Sequence, residues 1–398
     1  MLREVETSKV AIGMYVAELD RPWLETPFPV QGFYIRSADD INRLRSCCHS
    51  VFVDPRRFDY RLSSRAGGRD ATRAPSVPEP EVVYEDAGSV EDELPAASDA
   101  LSVSNDVFEQ LWSALSQKRR VSLDQVRAAV DPLVESILRN KDALAALMRV
   151  QRADRHTHEH CMALAVWAAL MGRQLGFPPA EVKTLSLGCS LVDIGKVRLP
   201  RELLECEERM SKAERVLLRS HVEYSLEMLA EMGDASDAVI ATVRFHHERM
   251  DGSGYPHNLE GPDIPLYARI AAIVDSYDAM ISPRRAAAAR SSFEAMMELQ
   301  DLSPQKYQAE LVEQFAQVIG IFPSGALVEL SSGEVAVVFS QNTGRRLRPK
   351  VLVILDAHKR RRDRLVLVDL NGEGTTSLRI ARELPRGEHG VDAREYFL

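Results

Sequence analysis

Apolar side chains recur at intervals of three and four residues through the middle of this 398-residue chain. The pattern is clear at residues 107–117 and 123–149, and it continues in shorter segments to about residue 320. Such spacing places the apolar side chains on one face of each helix, which must be buried against other helices. The pattern predicts an all-α bundle over residues 107–320, with a kink or break at Pro132.

The sequence changes character on both sides of this region. Residues 1–62 alternate short β-like runs with one helical segment, which predicts a small α+β module. Residues 63–106 are rich in Ser, Gly, Pro, Ala and acidic residues, and they predict a disordered linker because few apolar side chains remain to offset the entropy of ordering. Residues 321–398 contain β-branched runs and a Ser-Ser-Gly turn, which predict a short β-rich segment. We therefore expect a multidomain protein.

Composition restricts the partners of such a chain. Its formal net charge is −9, whereas a general nucleic-acid or membrane-surface binder needs a basic face. The basic tract at residues 358–364 is therefore interpreted as an exposed hairpin turn. The sequence has no signal-peptide pattern and no apolar run of membrane-spanning length, so we expect a cytoplasmic protein. The five cysteines fit neither a zinc-finger spacing nor a disulfide framework.

Seven of the ten histidines lie between residues 156 and 257. His156 and His160 are four residues apart, a spacing that lets two imidazoles on one helix face reach one metal ion. Asp193 lies in the string LVDIGK beside a glycine that permits close backbone approach, so its carboxylate could bridge two cations while Lys196 faces a phosphate. His158 and His257 are interpreted as surface residues.

Three further histidines and one aspartate extend this set. Taken singly, such residues are more often core, capping or turn residues than ligands. Taken together in one helical region, they predict a site for divalent metal ions, because several buried polar side chains are costly without partners. These additional candidates are His221, His246, His247 and Asp275.

The string HHERMDGSGYP at residues 246–256, with LVDIGK upstream and ARIAAIVDSYDAM downstream, closely resembles the HD-GYP family of phosphodiesterases. The resemblance covers about residues 152–284. The segment IGMYVAELDRPWLETPF resembles a small domain of unknown function that often precedes HD-GYP domains. The stretches after residue 318 resemble the C-terminal part of the same proteins.

This resemblance implies an HD-type helical bundle that hydrolyses cyclic di-GMP to pGpG or GMP in bacterial second-messenger signalling. It also implies two divalent metal ions, most often iron or manganese. Position by position, one ion is expected on His160, Asp193 and Asp275, and Asp193 would bridge to a second ion on His221, His246 and His247. His156 could add a ligand. Asp193 and Lys196 are expected to be catalytic, and the expected substrate-binding residues are Lys196, Arg284, Gly254, Tyr255 and Pro256.

Two departures from the family pattern leave an alternative open. Val192 replaces the family's histidine and has no donor atom, so one ion loses a ligand and its site could be weak or empty. The basic residues that the family often has after Arg284 are largely replaced by alanine. A degenerate domain that senses nucleotide or binds a protein such as a GGDEF-type cyclase is therefore the competing hypothesis. Hydrolysis of another cyclic dinucleotide and homodimerisation through residues 123–149 also stay open.

Overall fold

The computed structural model describes residues 2–12, 14–23, 26, 28, 32–35, 38–54, 77–151, 157–204, 210–282, 290–320, 322–342, 348–372, 378–385 and 387–396. Two of the predicted site residues, His156 and Arg284, lie outside these ranges. The chain separates into two compact units, Met1–Ala74 and Pro75–Leu398.

The first unit is an antiparallel sheet with one helix. Val16, Leu44 and Val51 are fully buried in its core. The helix begins with Asp39 and Asp40, whose charges suit the positive end of the helix dipole. The sheet order is β1-β4-β2-β3, and the elements are β1 (Arg3–Glu6), β2 (Tyr15–Leu19), β3 (Phe33–Tyr34), α1 (Ala38–Cys47) and β4 (Ser50–Val53).

The second unit is built on helices packed around one apolar core. The largest fully buried side chains include Trp167, Tyr277 and Phe315, which lie on three different helices. The helices are α2 (Val90–Ser116), α3 (Leu123–Arg139), α4 (Ala143–Gln151), α5 (Thr157–Gln174), α6 (Pro179–Leu191), α7 (Arg201–Leu204), α8 (Lys212–Arg219), α9 (His221–Met232), α10 (Asp237–Phe245), α11 (Leu266–Ile281), α12 (Ser292–Leu302) and α13 (Ala309–Ile319).

A five-stranded antiparallel sheet follows the helices in the same unit. One of its faces contributes Leu327, Val335 and Val337 to the helical core, and the other carries a smaller apolar cluster. The expected fold class, a helical bundle with an α+β module before it and a β-rich segment after it, is confirmed. The sheet order is β8-β7-β6-β5-β9, with β5 (Leu327–Leu330), β6 (Val335–Ser340), β7 (Lys350–Leu355), β8 (Arg361–Asp369) and β9 (Ile380–Glu383).

The expected disorder of residues 63–106 is wrong for the part that the structure describes as helix. Helix α2 begins at Val90, where the side chain of Ser89 caps the helix in a reciprocal pair of hydrogen bonds with Asp92. Val90, Ala97 and Leu101 are buried in the core of the second unit. Apolar spacing at one face of the helix therefore outweighs the polar composition of the segment. Residues 55–76 lie outside the described ranges.

The basic tract lies at the hairpin between β7 and β8. The turn is closed by the amide of Asp356, which donates to the carbonyl of Arg360 at 2.9 Å, and the remaining basic residues enter β8. Among the described residues, no helix has both the length and the apolar character needed to cross a membrane.

Candidate metal centre

Asp193 reaches the site because two segments of chain approach each other very closely. Helix α6 ends at Leu191, and a short 3-10 helix, Ile194–Arg198, turns the chain against the start of α9. A Cβ on Gly195 would lie 2.2 Å from the carbonyl oxygen of His221, which real side chains do not tolerate. The glycine therefore permits the contact that brings Asp193 beside His221.

A hydrogen-bonded bridge holds these two segments together. The amide of Gly195 donates to the hydroxyl of Ser225 at 2.9 Å, and that hydroxyl donates to the carbonyl of Val192 at 2.9 Å. Ser225 is fully buried. Its side chain therefore satisfies backbone groups on both sides of Asp193.

The first predicted ligand group is assembled from three helical segments. His160 Nε2 lies 3.2 Å from Asp193 Oδ2 and 3.3 Å from Asp275 Oδ1. The three ligand atoms all lie within 4.8 Å of one another. This separation is compatible with one small cation between a nitrogen and two carboxylate oxygens.

Behind His160 lies a carboxylate that the sequence argument did not select. Asp278 Oδ2 lies 2.6 Å from His160 Nδ1, and Asp278 Oδ1 accepts a hydrogen bond from Trp167 Nε1 at 2.8 Å. Asp278 is fully buried. A carboxylate on the far nitrogen of a histidine fixes the ring so that Nε2 can face a metal ion. The signal was available, because Asp275 and Asp278 are three residues apart on one helix face.

The second predicted ligand group contains three imidazoles around the same aspartate. His221 Nε2 lies 3.3 Å from Asp193 Oδ1 and 3.2 Å from His247 Nε2. His246 is the fourth member, and the ligand atoms of the group again lie within 4.8 Å of one another. His246 and His247 directly follow Phe245, the last residue of α10, and both reach the site from this helix end.

The protonation pattern of this group suits a metal ion. His221 Nδ1 and His246 Nδ1 lie 2.6 Å and 2.8 Å from backbone carbonyls, which can only accept, so both nitrogens must donate. In the neutral rings, both Nε2 atoms then carry lone pairs that point into the site. His246 Nε2 and Asp193 Oδ1 are buried and have no hydrogen-bond partner within the described ranges. Buried acceptors that face one another in this way are costly unless a cation lies between them.

Burial determines the charge state of the three imidazoles. Loss of solvation lowers the pKa of His221, lowers the pKa of His246 to about 4, and lowers the pKa of His247 well below its usual value. All three rings are therefore neutral near pH 7, as metal ligation requires.

Nearby aspartates shift the pKa of His160 in the opposite direction, upward. Burial alone would lower the pKa of His160, but hydrogen bonds with Asp193, Asp275 and Asp278 raise it well above its usual value. Burial would likewise raise the pKa of Asp193, but the charge of Lys196 and the hydrogen bond with His160 hold it well below the usual range. A cation between His160 and Asp193 would have to displace the proton from this imidazole.

Lys196 forms an ion pair with Asp193 one turn earlier. Its ammonium therefore lies beside the shared ligand of both groups, and the expected contact of Lys196 with a phosphate stays a prediction. Val192 is different: its side chain is fully buried within the apolar core, and it contributes no ligand atom to either group.

The loop that follows His247 is held against the ligands by a buried carboxylate. Glu248 accepts from the amides of His257 at 2.7 Å and Leu259 at 3.1 Å. A Cβ on Gly254 would lie 2.4 Å from the Cα of Glu248, so only glycine permits this approach. The loop therefore holds Tyr255 over the imidazole of His247, with ring centroids 4.6 Å apart and planes 29° from parallel.

The remaining predicted residues of this region are less closely engaged. Pro256 is exposed and follows Tyr255 through a cis peptide bond. His257 is exposed, as expected, although its ring contacts Phe245 at 5.6 Å between centroids. His158 is half-buried and is not a member of either ligand group found among the described residues.

Family comparisons agree with this architecture. A domain of unknown function, DUF3391, matches residues 2–221, which is more than half of the chain. The HD domain matches residues 132–311, and a KOW domain associated with HD domains matches residues 327–387. The chain belongs to the DUF3391 family, and it carries an HD domain followed by the associated KOW domain. The resemblance to HD-GYP proteins is thereby confirmed.

Curated relatives of this HD-domain protein include three phosphodiesterases. A cyclic di-GMP phosphodiesterase of Pseudomonas aeruginosa is 29% identical over 385 residues, which cover 94% of this chain and 91% of the relative. A cyclic di-GMP phosphodiesterase response regulator of Xanthomonas campestris is 33% identical over 42% of this chain and 44% of the relative. A 3'3'-cGAMP-specific phosphodiesterase of Vibrio cholerae is 32% identical over 34% of this chain and 26% of the relative.

Among solved structures, an HDG"Y"P protein from Bdellovibrio bacteriovorus covers 80% of this chain and 99% of its own length. The sequence identity is 16% and the TM-score is 0.48.

Proposed function

We propose that this protein is a metal-dependent phosphodiesterase that hydrolyses cyclic di-GMP to pGpG or GMP in bacterial second-messenger signalling. The proposal is supported by a relative that matches nearly the whole chain and is named a cyclic di-GMP phosphodiesterase. The observation that carries it is structural: Asp193 belongs to two adjacent ligand groups at once. A carboxylate shared in this way is what a two-cation phosphodiesterase requires.

The residues present fit two divalent cations of unequal ligation. His221, His246, His247 and Asp193 would hold one ion with three neutral imidazoles and a carboxylate, a donor set that suits iron or manganese. His160, Asp193 and Asp275 would hold the other. When bound, such ions polarise a phosphodiester and activate water for in-line attack.

The protein's own groups then orient the substrate and balance its charge. Lys196 carries a positive charge next to Asp193 and is available to neutralise an oxygen of the scissile phosphate once cations take its place beside the carboxylate. Asp278 holds His160 in one orientation. The loop that carries Tyr255 covers the site beside His247. Arg284 remains a proposed phosphate contact on the strength of the family resemblance.

A hydrolysis assay on the full chain tests this function. Purified protein loaded with Mn²⁺ or Fe²⁺ should convert cyclic di-GMP to pGpG or GMP, and Asp193→Asn should reduce the rate at least about 100-fold because it disrupts both ion sites. Glu227→Gln, at a surface ion pair with Arg198, is the matched control and should retain activity. Absence of turnover at any metal concentration would refute the proposal.

Val192 favours one alternative function. With a ligand missing from the first group, the domain could bind cyclic dinucleotide or a signalling protein without cleaving it. This alternative predicts saturable binding of cyclic di-GMP to the metal-loaded chain with no product in the same assay.

A further inference from the structure

Arg219 lies at the rim of the metal centre without being required by the core. It is the last residue of α8, a helix that has no buried residues. Its guanidinium carbon lies 4.6 Å from the centroid of the Tyr255 ring. An exposed arginine held over an aromatic face is partly ordered by that contact, because the cation is attracted to the negative face of the ring.

Tyr255 is itself fixed to a predicted metal ligand. Its ring stacks on the imidazole of His247, and its amide donates to the carbonyl of His247 at 3.3 Å. The Tyr255 ring therefore contacts both the imidazole of His247 and the guanidinium of Arg219.

The backbone gives Arg219 a second connection to the site. Only Ser220 separates it from His221, another member of the same ligand group. His221 is buried and tied by its Nδ1 to the carbonyl of Leu218, within the last turn of α8. Arg219 therefore lies two residues before one histidine of the group, and its guanidinium contacts the ring that stacks on another.

Charge indicates what such a guanidinium would meet. A cyclic dinucleotide carries two phosphodiester groups, and only one can be cleaved at the metal centre at a time. The described site offers the carboxylates of Asp193, Asp275 and Asp278, and Lys196 is paired with the first of them. A guanidinium has five N–H donors, so one that contacts an aromatic ring can still donate two charge-assisted hydrogen bonds to a phosphate.

We propose that Arg219 binds the phosphate of the cyclic dinucleotide that is not being cleaved. The inference rests on the proposed function and adds a substrate-binding residue to it. Arg219 contributes a positive charge beside Tyr255, whereas the nearby Arg249 donates to the carbonyls of His246 and Glu248.

Two substrates separate this role from a structural one. Cyclic di-GMP has two phosphodiesters, whereas bis(p-nitrophenyl) phosphate has only the one that is cleaved. Arg219→Ala should raise KM for cyclic di-GMP about tenfold, equivalent to about 1.4 kcal/mol, with kcat changed less than about twofold. Hydrolysis of bis(p-nitrophenyl) phosphate and the metal content should be unchanged. Arg219→Lys should restore part of the loss, because it keeps the charge but not the planar fork.

The matched control is Arg215→Ala, which removes the same side chain one helical turn earlier and should leave both substrates unaffected. An equal loss on both substrates, or a loss of metal from Arg219→Ala, would overturn the proposal in favour of a structural role. Cyclic di-AMP keeps both phosphates but lacks guanine. If Arg219→Ala weakened the binding of cyclic di-GMP but not that of cyclic di-AMP, Arg219 would contact the guanine base. That result would overturn the phosphate assignment.

Failure of the proposed function is distinguishable from failure of this inference. A wild-type protein that cleaves neither substrate refutes the phosphodiesterase activity alone. Equilibrium binding of cyclic di-GMP to the metal-loaded full chain then tests Arg219 directly. Weaker binding by Arg219→Ala than by Arg215→Ala supports the assignment, and equal binding by the two variants contradicts it.

Discussion

Val192 precedes the shared ligand Asp193 and supplies no ligand atom to the first ligand group. It lies between Leu191, the last residue of α6, and Asp193, and its side chain is fully buried among apolar neighbours. A histidine here would add a donor atom to a group that otherwise has one imidazole and two carboxylates. Since every 1.4 kcal/mol changes occupancy about tenfold at low metal concentration, we expect the absent ligand to leave this site less occupied than the other.

We predict that Val192→His raises both the metal content and the rate of cyclic di-GMP hydrolysis. The physical reason is that a two-cation reaction needs both sites filled. Metal analysis and the hydrolysis assay, run on the same preparations, measure the two effects. Metal content that rises without any rise in turnover would place the defect elsewhere, in the altered segment after Arg284.

Overpacking must be separated from ligation in this experiment. An imidazole in a core shaped around valine costs roughly 1–3 kcal/mol. Val192→Leu enlarges the side chain without adding a donor, so it should lower the melting temperature without adding metal. Gain of metal by the leucine variant would contradict the ligand argument.

Asp278 is predicted to tune the same ion through His160. In Asp278→Asn, the amide oxygen can still accept a hydrogen bond from Trp167 Nε1. The NH2 group then faces His160 Nδ1 and cannot accept a hydrogen bond from it. We expect metal affinity at the first site to fall about 10–100-fold, measured by titration with Mn²⁺. Trp167→Phe is the comparison, because it removes the other hydrogen bond and should cost less affinity. Equal affinity in wild type and Asp278→Asn would exclude this role.

The family resemblance supplied the two proposed ligand sets but not the residues that support them. Spacing and residue type singled out His160, His221 and Asp275, since clustered imidazoles and carboxylates have few other uses in a helical core. Asp278 and Arg219 were missed because their roles depend on which side chain faces which, and that is decided by packing between helices distant in sequence.

Among the elements, α2 is a helix whose first half has the polar composition that predicted a disordered linker. Its first half contains Asp, Glu, Ser and Pro95, yet buried residues recur at intervals of three and four from Val90 to Leu111. The carboxylate of Glu93 is held by Arg139 and by the hydroxyl of Ser136 on α3. Periodicity was the better guide here, and the polar content of the exposed face misled the sequence argument.

Limited proteolysis should distinguish a packed helix from a disordered linker in this segment. We predict that Val90–Ser116 resists cleavage, because cutting it requires a buried helix to open. Residues 63–76 remain a predicted cleavage site on composition alone. A stable fragment that begins before residue 90 is therefore expected, and one that begins near residue 107 would contradict it.

A destabilised variant provides the control for this experiment. Leu101 is 3% exposed in the core of the second unit. Leu101→Asp would bury an unpaired charge and should make α2 cleavable under conditions in which the wild-type helix is intact.

For the molecule as a whole, the buried imidazoles predict a defined pH dependence in the metal-free state. Burial lowers the pKa of His221, His246 and His247, whereas a histidine in the unfolded chain titrates near 6.5. Below pH 6.5 the unfolded chain takes up protons that the folded protein excludes, so stability falls as pH falls. The raised pKa of His160 acts in the opposite direction, but it offsets only part of the loss because it is one ring against three.

We expect the metal-free protein to lose at least about 1 kcal/mol of stability between pH 6.5 and 5.0, measured by urea unfolding. His246→Asn should reduce this loss, because it removes one of the excluded protons. A flat profile between the two pH values would show that the imidazoles are not held neutral.

We propose that Asp193 joins two cation sites of unequal strength, and the number of metal ions bound per chain is the sharpest test of this arrangement. After dialysis against metal-free buffer, we predict that His247→Ala strips most of the metal bound by wild type, that His160→Ala removes little, and that Asp193→Ala removes nearly all. Three imidazoles and a carboxylate fill one site, whereas the other lacks the ligand that Val192 cannot supply. Equal losses from His247→Ala and His160→Ala, or full metal retention by Asp193→Ala, would contradict the account.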